Sequence, residues 1–172
     1  MAAPLPLAYL ITFTCYGTRL HGDPSGSVDL DHNIPGTPYL PANPRRVLAH
    51  EEKLKQDRCT LDRARREAVL QAIREVCSHR GWNLFAAHVR STHAHFVVSA
   101  QEAPEKVLND VKAYASRSLN RASLDRNAPR RWSRHGSTRY LWKQEHVGAA
   151  IHYVIREQGD PMAVWENPKG LF

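Results

Sequence analysis

The sequence predicts an α+β domain, a ferredoxin-like (RRM-like) antiparallel sheet with helices packed on one face. Three observations carry that expectation. Strand and helix patterns follow one another as β-α-β-β-α-β-α. The two middle strands are separated by only a short turn, which implies a hairpin. The 172 residues suit a single domain with one core.

Leu7 to Tyr16 is rich in Leu, Ile, Thr, Phe and Tyr and reads as a buried first strand, broken at Gly17. From Thr18 to about Asn43, Gly, Pro, Asp and Ser recur, which predicts one long loop at about 18–44 rather than a second domain. Arg45 to Gln56 fits a short helix. Leu61 to His79 fits a longer one, with Thr60 as N-cap and Asp62 in the first turn. Its apolar face is Leu61, Ala68, Val69, Ala72, Ile73 and Val76, and Gly81 stops it. Trp82 to Val89 is the second strand, and the third starts after the turn at Ser91 or Thr92. Glu102 to about Ala122 is a second long helix, with Pro104 in its first turn. Val107, Leu108, Val111, Ala115 and Leu119 form its buried stripe, and Lys106, Lys112, Arg117 and Arg121 are its basic residues. Arg126 to Arg134 is a basic loop around Trp132, a composition that suits phosphates and a stacked base. Thr138 to Gln144 is the fourth strand. His146 to about Gln158 is the last helix, ended by Gly159 and Pro161, and the tail from about Met162 is a peripheral extension.

The composition narrows the partner. A formal charge of +7 and a pI near 9.6 favour a polyanion, most simply nucleic acid. Cys15, Cys59 and Cys77 are odd in number and lack CxxC spacing, so they suggest neither a disulfide framework nor a zinc knuckle. That usage suits a reducing cytosol. No apolar run approaches the roughly 18 residues of a membrane span, so a soluble, cytoplasmic protein without a membrane partner is expected.

The chemistry centres on the third strand, Thr92 to Val98. Side chains alternate along a strand, so His93 and His95 share one face while Ala94, Phe96 and Val98 take the other. Two imidazoles so placed can hold one divalent metal. The last helix offers a second half-site. At about 100° per residue, Val147, Ile151, Val154 and Ile155 cluster as a buried stripe, and Tyr153 falls about 160° from its centre. Glu157 lies within about 40° of Tyr153, so a phenol and a carboxylate share a face the core does not need. Gln158 falls on the apolar side unless the last turn frays. Tyr114, at the margin of the second helix's stripe, is the rival tyrosine.

A His-x-His strand in a small basic α+β chain, followed by a Tyr-x-x-x-polar helix, resembles the HUH single-tyrosine (Y1) transposases. These are the IS200-like family, which includes the REP-associated tyrosine transposases. CYGTRLHGDPSGSV at 15–28, RHGSTRYLW at 134–142 and YVIREQGDPMAV at 153–164 resemble segments of a bacterial branch of that family. The resemblance runs from about Leu7 to Val164 and implies an HUH endonuclease-type fold. It implies that His93 and His95 bind Mg²⁺ or Mn²⁺ and that Tyr153 is the nucleophile. The family often has Gln or Asn four residues after that tyrosine. Here Glu157 holds that position and Gln158 is the alternative third ligand. The implied reaction is cleavage and rejoining of single-stranded DNA near hairpins through a 5′-phosphotyrosine. Lys106, Lys112, Arg117, Arg121, Arg130 and Arg131 would meet hairpin phosphates. A homodimer associated with the nucleoid is also implied, with the tyrosine helix serving its own or the partner's metal site.

Two readings compete. A non-catalytic RRM-like nucleic-acid-binding protein, a domesticated transposase, needs no metal. A metal hydrolase using water as nucleophile would leave no covalent adduct. The large His-x-His enzymes on eight-fold barrels are excluded by length, since they need about 250 residues.

Overall fold

Stretches rich in β-branched and aromatic residues pair into one antiparallel sheet in the computed structural model, which describes residues 4–18, 41–124 and 130–170. The strands are β1 (Ala8–Thr14), β2 (Asn83–Val89), β3 (His93–Ser99), β4 (Ser137–Leu141) and β5 (Ala163–Glu166). Their spatial order is β4-β1-β3-β2-β5. The helices are α1 (Pro44–Glu51), α2 (Arg63–Arg80), α3 (Pro104–Arg121) and α4 (Gln144–Arg156). The expected α+β antiparallel class and the β2–β3 hairpin are thus observed. The loop expected at 18–44 lies, apart from its ends, outside the described residues.

Alternation sorts the sheet's side chains onto two faces. Tyr9, Ile11 and Phe13 of β1 and Ala94, Phe96 and Val98 of β3 pack with the apolar stripes of α2 and α3. Ala8 and Leu10 of β1 and Val97 of β3 pack on the other side with Leu141 and with Val147, Ala150, Val154 and Ile155 of α4. So α2 and α3 share one face, whereas α4 covers part of the other, a correction to the expectation that the helices all pack on one face. The tail is not wholly peripheral either. Ala163–Glu166 adds a fifth, edge strand against β2. Four residues between Pro161 and Pro168 are too short a run for periodicity to reveal.

Helix ends follow local chemistry. Asp62, not Thr60, caps α2, its carboxylate accepting from the Arg65 backbone N–H at 2.9 Å. That hydrogen bond holds the carboxyl below its ordinary pKa. Gly81 closes α2 in the left-handed region at φ 71°, where a side chain would be strained. Strand β2 carries a bulge between Leu84 and Ala86, so Phe85 and Ala86 both join the α4-side cluster. The bulge brings His88, four residues after Leu84, onto the α4 side.

His88 is fully buried and ties three elements together. Its Nδ1 lies 3.0 Å from the Val154 carbonyl near the end of α4, and its Nε2 accepts from the Met162 backbone N–H at 3.1 Å. These partners fix a neutral ring protonated at Nδ1. The bond also satisfies one of the carbonyls that a helix C-terminus leaves unpaired. Burying a Val or Ile contributes about 1.5–3 kcal/mol, whereas one hydrogen bond nets about 0.5–1.5 kcal/mol. Packing therefore holds α4 on the sheet, and His88 sets its register.

Gly136, just before β4, marks a close approach. A Cβ there would lie 2.6 Å from the Thr12 carbonyl oxygen and 2.9 Å from Leu108 Cδ2. The carbonyl belongs to the sheet backbone and cannot yield without moving β1. Gly136→Ala is expected to lower unfolding free energy by about 1–3 kcal/mol, read as a shift in urea midpoint. A second expectation concerns pH. Burial chiefly, with nearby Arg90, lowers the His88 pKa below 6.5. The unfolded chain then binds more protons at His88, so its contribution is complete above about pH 6.5 and is lost as pH falls through the folded value. Urea titrations between pH 7.5 and 5 should show a smaller loss of stability on acidification in His88→Asn than in wild type. Equal slopes in the two proteins would refute the assignment.

Candidate active site

The register of the sheet brings a polar row together. Ser137 of β4 faces Thr12 of β1, Thr12 faces His95 of β3, and His95 faces His88 of β2. All four are on the α4 side. Thr14 faces His93 one step along. His93 and His95 are buried, with ring centroids 4.7 Å apart. The Thr12 hydroxyl lies 2.6 Å from His95 Nδ1, and the Thr92 hydroxyl lies 3.0 Å from His93 Nδ1. If each Nδ1 carries the proton and donates it to its threonine, each Nε2 presents a lone pair. Outer-sphere partners of this kind orient metal-ligating histidines. The pair therefore fits the nitrogen half of a divalent-metal site.

Tyr153 meets that pair within the same chain. Its ring lies 5.6 Å from that of His95, centroid to centroid, at 73°. The expectation that Tyr153 sits on a face the core does not need is corrected in one respect. Tyr153 is half-buried and packs against the α4-side cluster. Ala150 is buried along with Val147, Val154 and Ile155, and this turns the buried stripe towards Tyr153. The phenol thus sits at the margin between core and solvent.

The third ligand is not assembled. Helix α4 ends at Arg156, and Glu157 is its C-cap, its backbone N–H still donating to the Tyr153 carbonyl at 3.2 Å. The Glu157 carboxylate instead lies 2.9 Å from His152 Nδ1 at the exposed surface. The Gln158 amide donates to the Tyr153 carbonyl at 3.2 Å. Among the described residues, no group of three or more His, Cys, Asp or Glu side chains is placed to hold a metal. Tyr114 lies on α3, across the sheet, with the Arg117 guanidinium 4.5 Å above its ring.

The basic candidates divide. Arg117 and Arg121 lie near the C-terminal end of α3, and Arg131 reaches Asn120 on that helix at 2.5 Å. The Arg131 carbonyl accepts from Tyr16 N–H and Trp132 bridges to Cys15, so this segment lies just past the end of β1, where Thr14 faces His93. Arg130 is exposed beside it. Arg121 pairs with Glu75 at 3.5 Å, and Lys106 pairs with Asp110 at 2.9 Å. The Lys112 ammonium donates to the Ser133 and His135 carbonyls and is partly desolvated, which lowers its pKa. It fastens the segment leading into β4. The α3 cations lie on the layer opposite Tyr153. Sequence reasoning missed Thr12, Thr92 and His88, because their roles depend on strand register and on the bulge.

Comparison with known proteins bears on this arrangement. The family model described as "Transposase IS200 like" matches residues 53–154, more than half of the chain. Among solved structures, the chain is similar to that of a REP-associated tyrosine transposase bound to a REP hairpin. Identity is 9% and the TM-score 0.50, with 91% of this chain and 69% of that chain covered. At that identity the likeness concerns the fold alone. No curated protein matches the sequence.

The geometry around His95 gives a direct expectation. Thr12→Val removes the hydroxyl while keeping the shape, and should weaken Mn²⁺ binding about 10–100-fold, read by titration of DNA-free protein. Thr12→Ser should retain most of the affinity. Unchanged binding in Thr12→Val would remove Thr12 from the site.

Proposed function

Since the chain belongs to the IS200-like transposase family, we propose that it cleaves and rejoins single-stranded DNA near hairpins, with Tyr153 as nucleophile. The observation that carries this reading is the Tyr153–His95 contact at 5.6 Å within one chain. In the cleavage step, the Tyr153 phenol loses its proton to solvent and its oxygen attacks phosphorus. The P–O3′ bond breaks, the 3′-oxygen takes up a proton, and the 5′-phosphate remains on the tyrosine. The stored phosphodiester bond can later be passed to another 3′-hydroxyl without ATP. His93 and His95 would hold Mg²⁺ or Mn²⁺ through Nε2, with Glu157 or Gln158 as third ligand. The bound ion supplies positive charge for the phosphoryl oxygens and the leaving 3′-oxygen. For Glu157 to serve, its carboxylate must leave His152.

A free strand end suits this site, since α4 roofs part of the sheet and a duplex is bulkier than a single strand. Arg117, Arg121, Arg130 and Arg131, at the histidine end of the molecule, are the cations best disposed towards hairpin phosphates. Lys106 lies in the first turn of α3, away from that end, and the Lys112 ammonium is partly desolvated against two carbonyls, so both would contribute less. A homodimer is compatible with this reading, and the intrachain contact supports a tyrosine that serves its own histidine pair. Among the described residues, no helix is long and apolar enough to cross a membrane.

The test is a denaturant-stable protein–DNA adduct formed on labelled hairpin DNA with a single-stranded flank, in the presence of Mn²⁺. Wild type and Tyr114→Phe should form it, and Tyr153→Phe should not. Chelation of the metal should abolish it. An adduct surviving in Tyr153→Phe would overturn the assignment. The outward turn of Glu157 favours the second reading, a non-catalytic nucleic-acid-binding protein. That reading predicts hairpin binding without any adduct.

A further inference from the structure

The edge strand β4 and the residue just after it carry two large aromatic side chains that the core does not use. Tyr140 is 47% exposed and Trp142 is 50% exposed. Their rings are stacked, with centroids 5.9 Å apart and planes at 12°. The pair is anchored from beneath. Tyr9 is buried and meets the Tyr140 ring edge-on at 5.3 Å. Tyr9 is itself held by its hydroxyl, which donates to the Glu102 carbonyl at 3.1 Å. A flat surface fixed in this way loses little freedom when something stacks on it.

We propose that the Tyr140–Trp142 pair is a stacking platform for an unpaired base of single-stranded DNA. The idea rests on the DNA-processing reading above and adds a contact outside the histidine site. Charge supports this occupant. Arg139 and Lys143 flank the rings in sequence and are exposed, in a chain of net charge +7. Arg139 has no salt bridge among the described residues, and Lys143 has only a loose one, 3.8 Å from Glu145. The carboxylates of Glu102 and Glu105 lie on the α3 side and hold only neutral donors, so phosphates are favoured on the other side of the rings. Glu102 accepts from the Trp82 indole at 2.7 Å, and Glu105 accepts from the Thr138 hydroxyl at 3.4 Å. A strand would therefore run its phosphates over the Arg139 and Lys143 side and lay a base on the exposed ring face. Such stacking tolerates any sequence, since every base has a π-face.

The position also suits a strand on its way to or from the histidines. Ser137 lies in the row of Thr12 and His95, two strands from His95, or roughly 10 Å across the sheet. From Ser137 to Tyr140 and Trp142 the chain advances roughly 10–17 Å along β4. Tyr140 shares the α2/α3 face with Tyr9, so a strand would pass around the exposed β4 edge, a path of a few nucleotides, to reach the histidine row on the other face.

The experiment uses the full chain and two fluorescein-labelled probes, an oligodeoxythymidylate of about 12 nucleotides and an abasic strand of equal length. Anisotropy reads their affinities. Wild type should prefer the base-bearing strand. Tyr140→Leu and Trp142→Leu should each weaken that strand by about 5- to 100-fold, towards the abasic level. Tyr140→Phe and Trp142→Phe keep a π-face and should stay within about threefold of wild type. Equal binding of the two probes by wild type, or unchanged affinity in both Leu variants, overturns the proposal. So does a dimer that the Leu variants convert to monomer with strand affinity unmoved, since the surface would then serve a second copy. The Tyr153 adduct is scored separately. Base-dependent affinity lost in the Leu variants supports the platform even if wild type forms no adduct. Adduct formation with unmoved affinity defeats the platform alone.

Discussion

The site depends on one cross-strand alignment: Thr12 beside His95, and His95 beside His88, all beneath α4. Each member is held by the next layer of structure. Thr12 engages the Nδ1 edge of His95, and His88 grips the last turn of the helix that carries Tyr153. Strand side chains alternate with period two, so a slip of one residue in β1 or β3 would exchange polar for apolar groups across the whole row. The flanking apolar residues guard against this. Phe13 and Phe96 are buried on the far face and cannot be turned outward without large loss of burial. The chemistry of one face is thus locked by the packing of the other.

The two faces divide the work. On the α2/α3 side the sheet is dry, and its outermost layer presents cations to solvent. On the α4 side, apolar packing occupies one half of the sheet and histidines the other, with Tyr153 at the border. On the proposed reading, a nucleic acid bound by α3 arginines and processed by Tyr153 would have to pass around the end of the sheet where β1 stops and β3 begins. Arg130 and Arg131 stand at that end. Attraction to phosphates is long-ranged and tolerates such separation, whereas nucleophilic attack requires contact.

Much of this was legible from residue order alone. The His93–His95 face follows from alternation, and the stripes of α2 and α3 follow from helical spacing. That Tyr153 rather than Tyr114 lies beside the histidine pair is also accessible, because Tyr114 is next to the buried line of its helix. Other features depend on information that a linear pattern does not hold. Thr12 is one β-branched residue among several until the register places it against His95. β5 is four residues long and bounded by prolines, so it gives no periodic signal. The pairing of Glu157 with His152 gives no linear signal either, since helical spacing sets the face of a residue and not the partner its side chain chooses. The position of α4 across the sheet reflects a second apolar face on β1 and β3, visible only once both alternating sets are seen to be buried.

The extra residue at Phe85 has a wider meaning. Four positions separate Leu84 from His88, an even count that would point both side chains the same way in an unbroken ribbon. The irregularity lets a greasy position and a titratable one coexist in seven residues, each in the environment it needs. The first part of β2 can therefore drift in sequence under pressure from packing alone, while the second part answers to the imidazole row. A relative lacking the extra residue would have to recruit its helix clamp from somewhere other than β2.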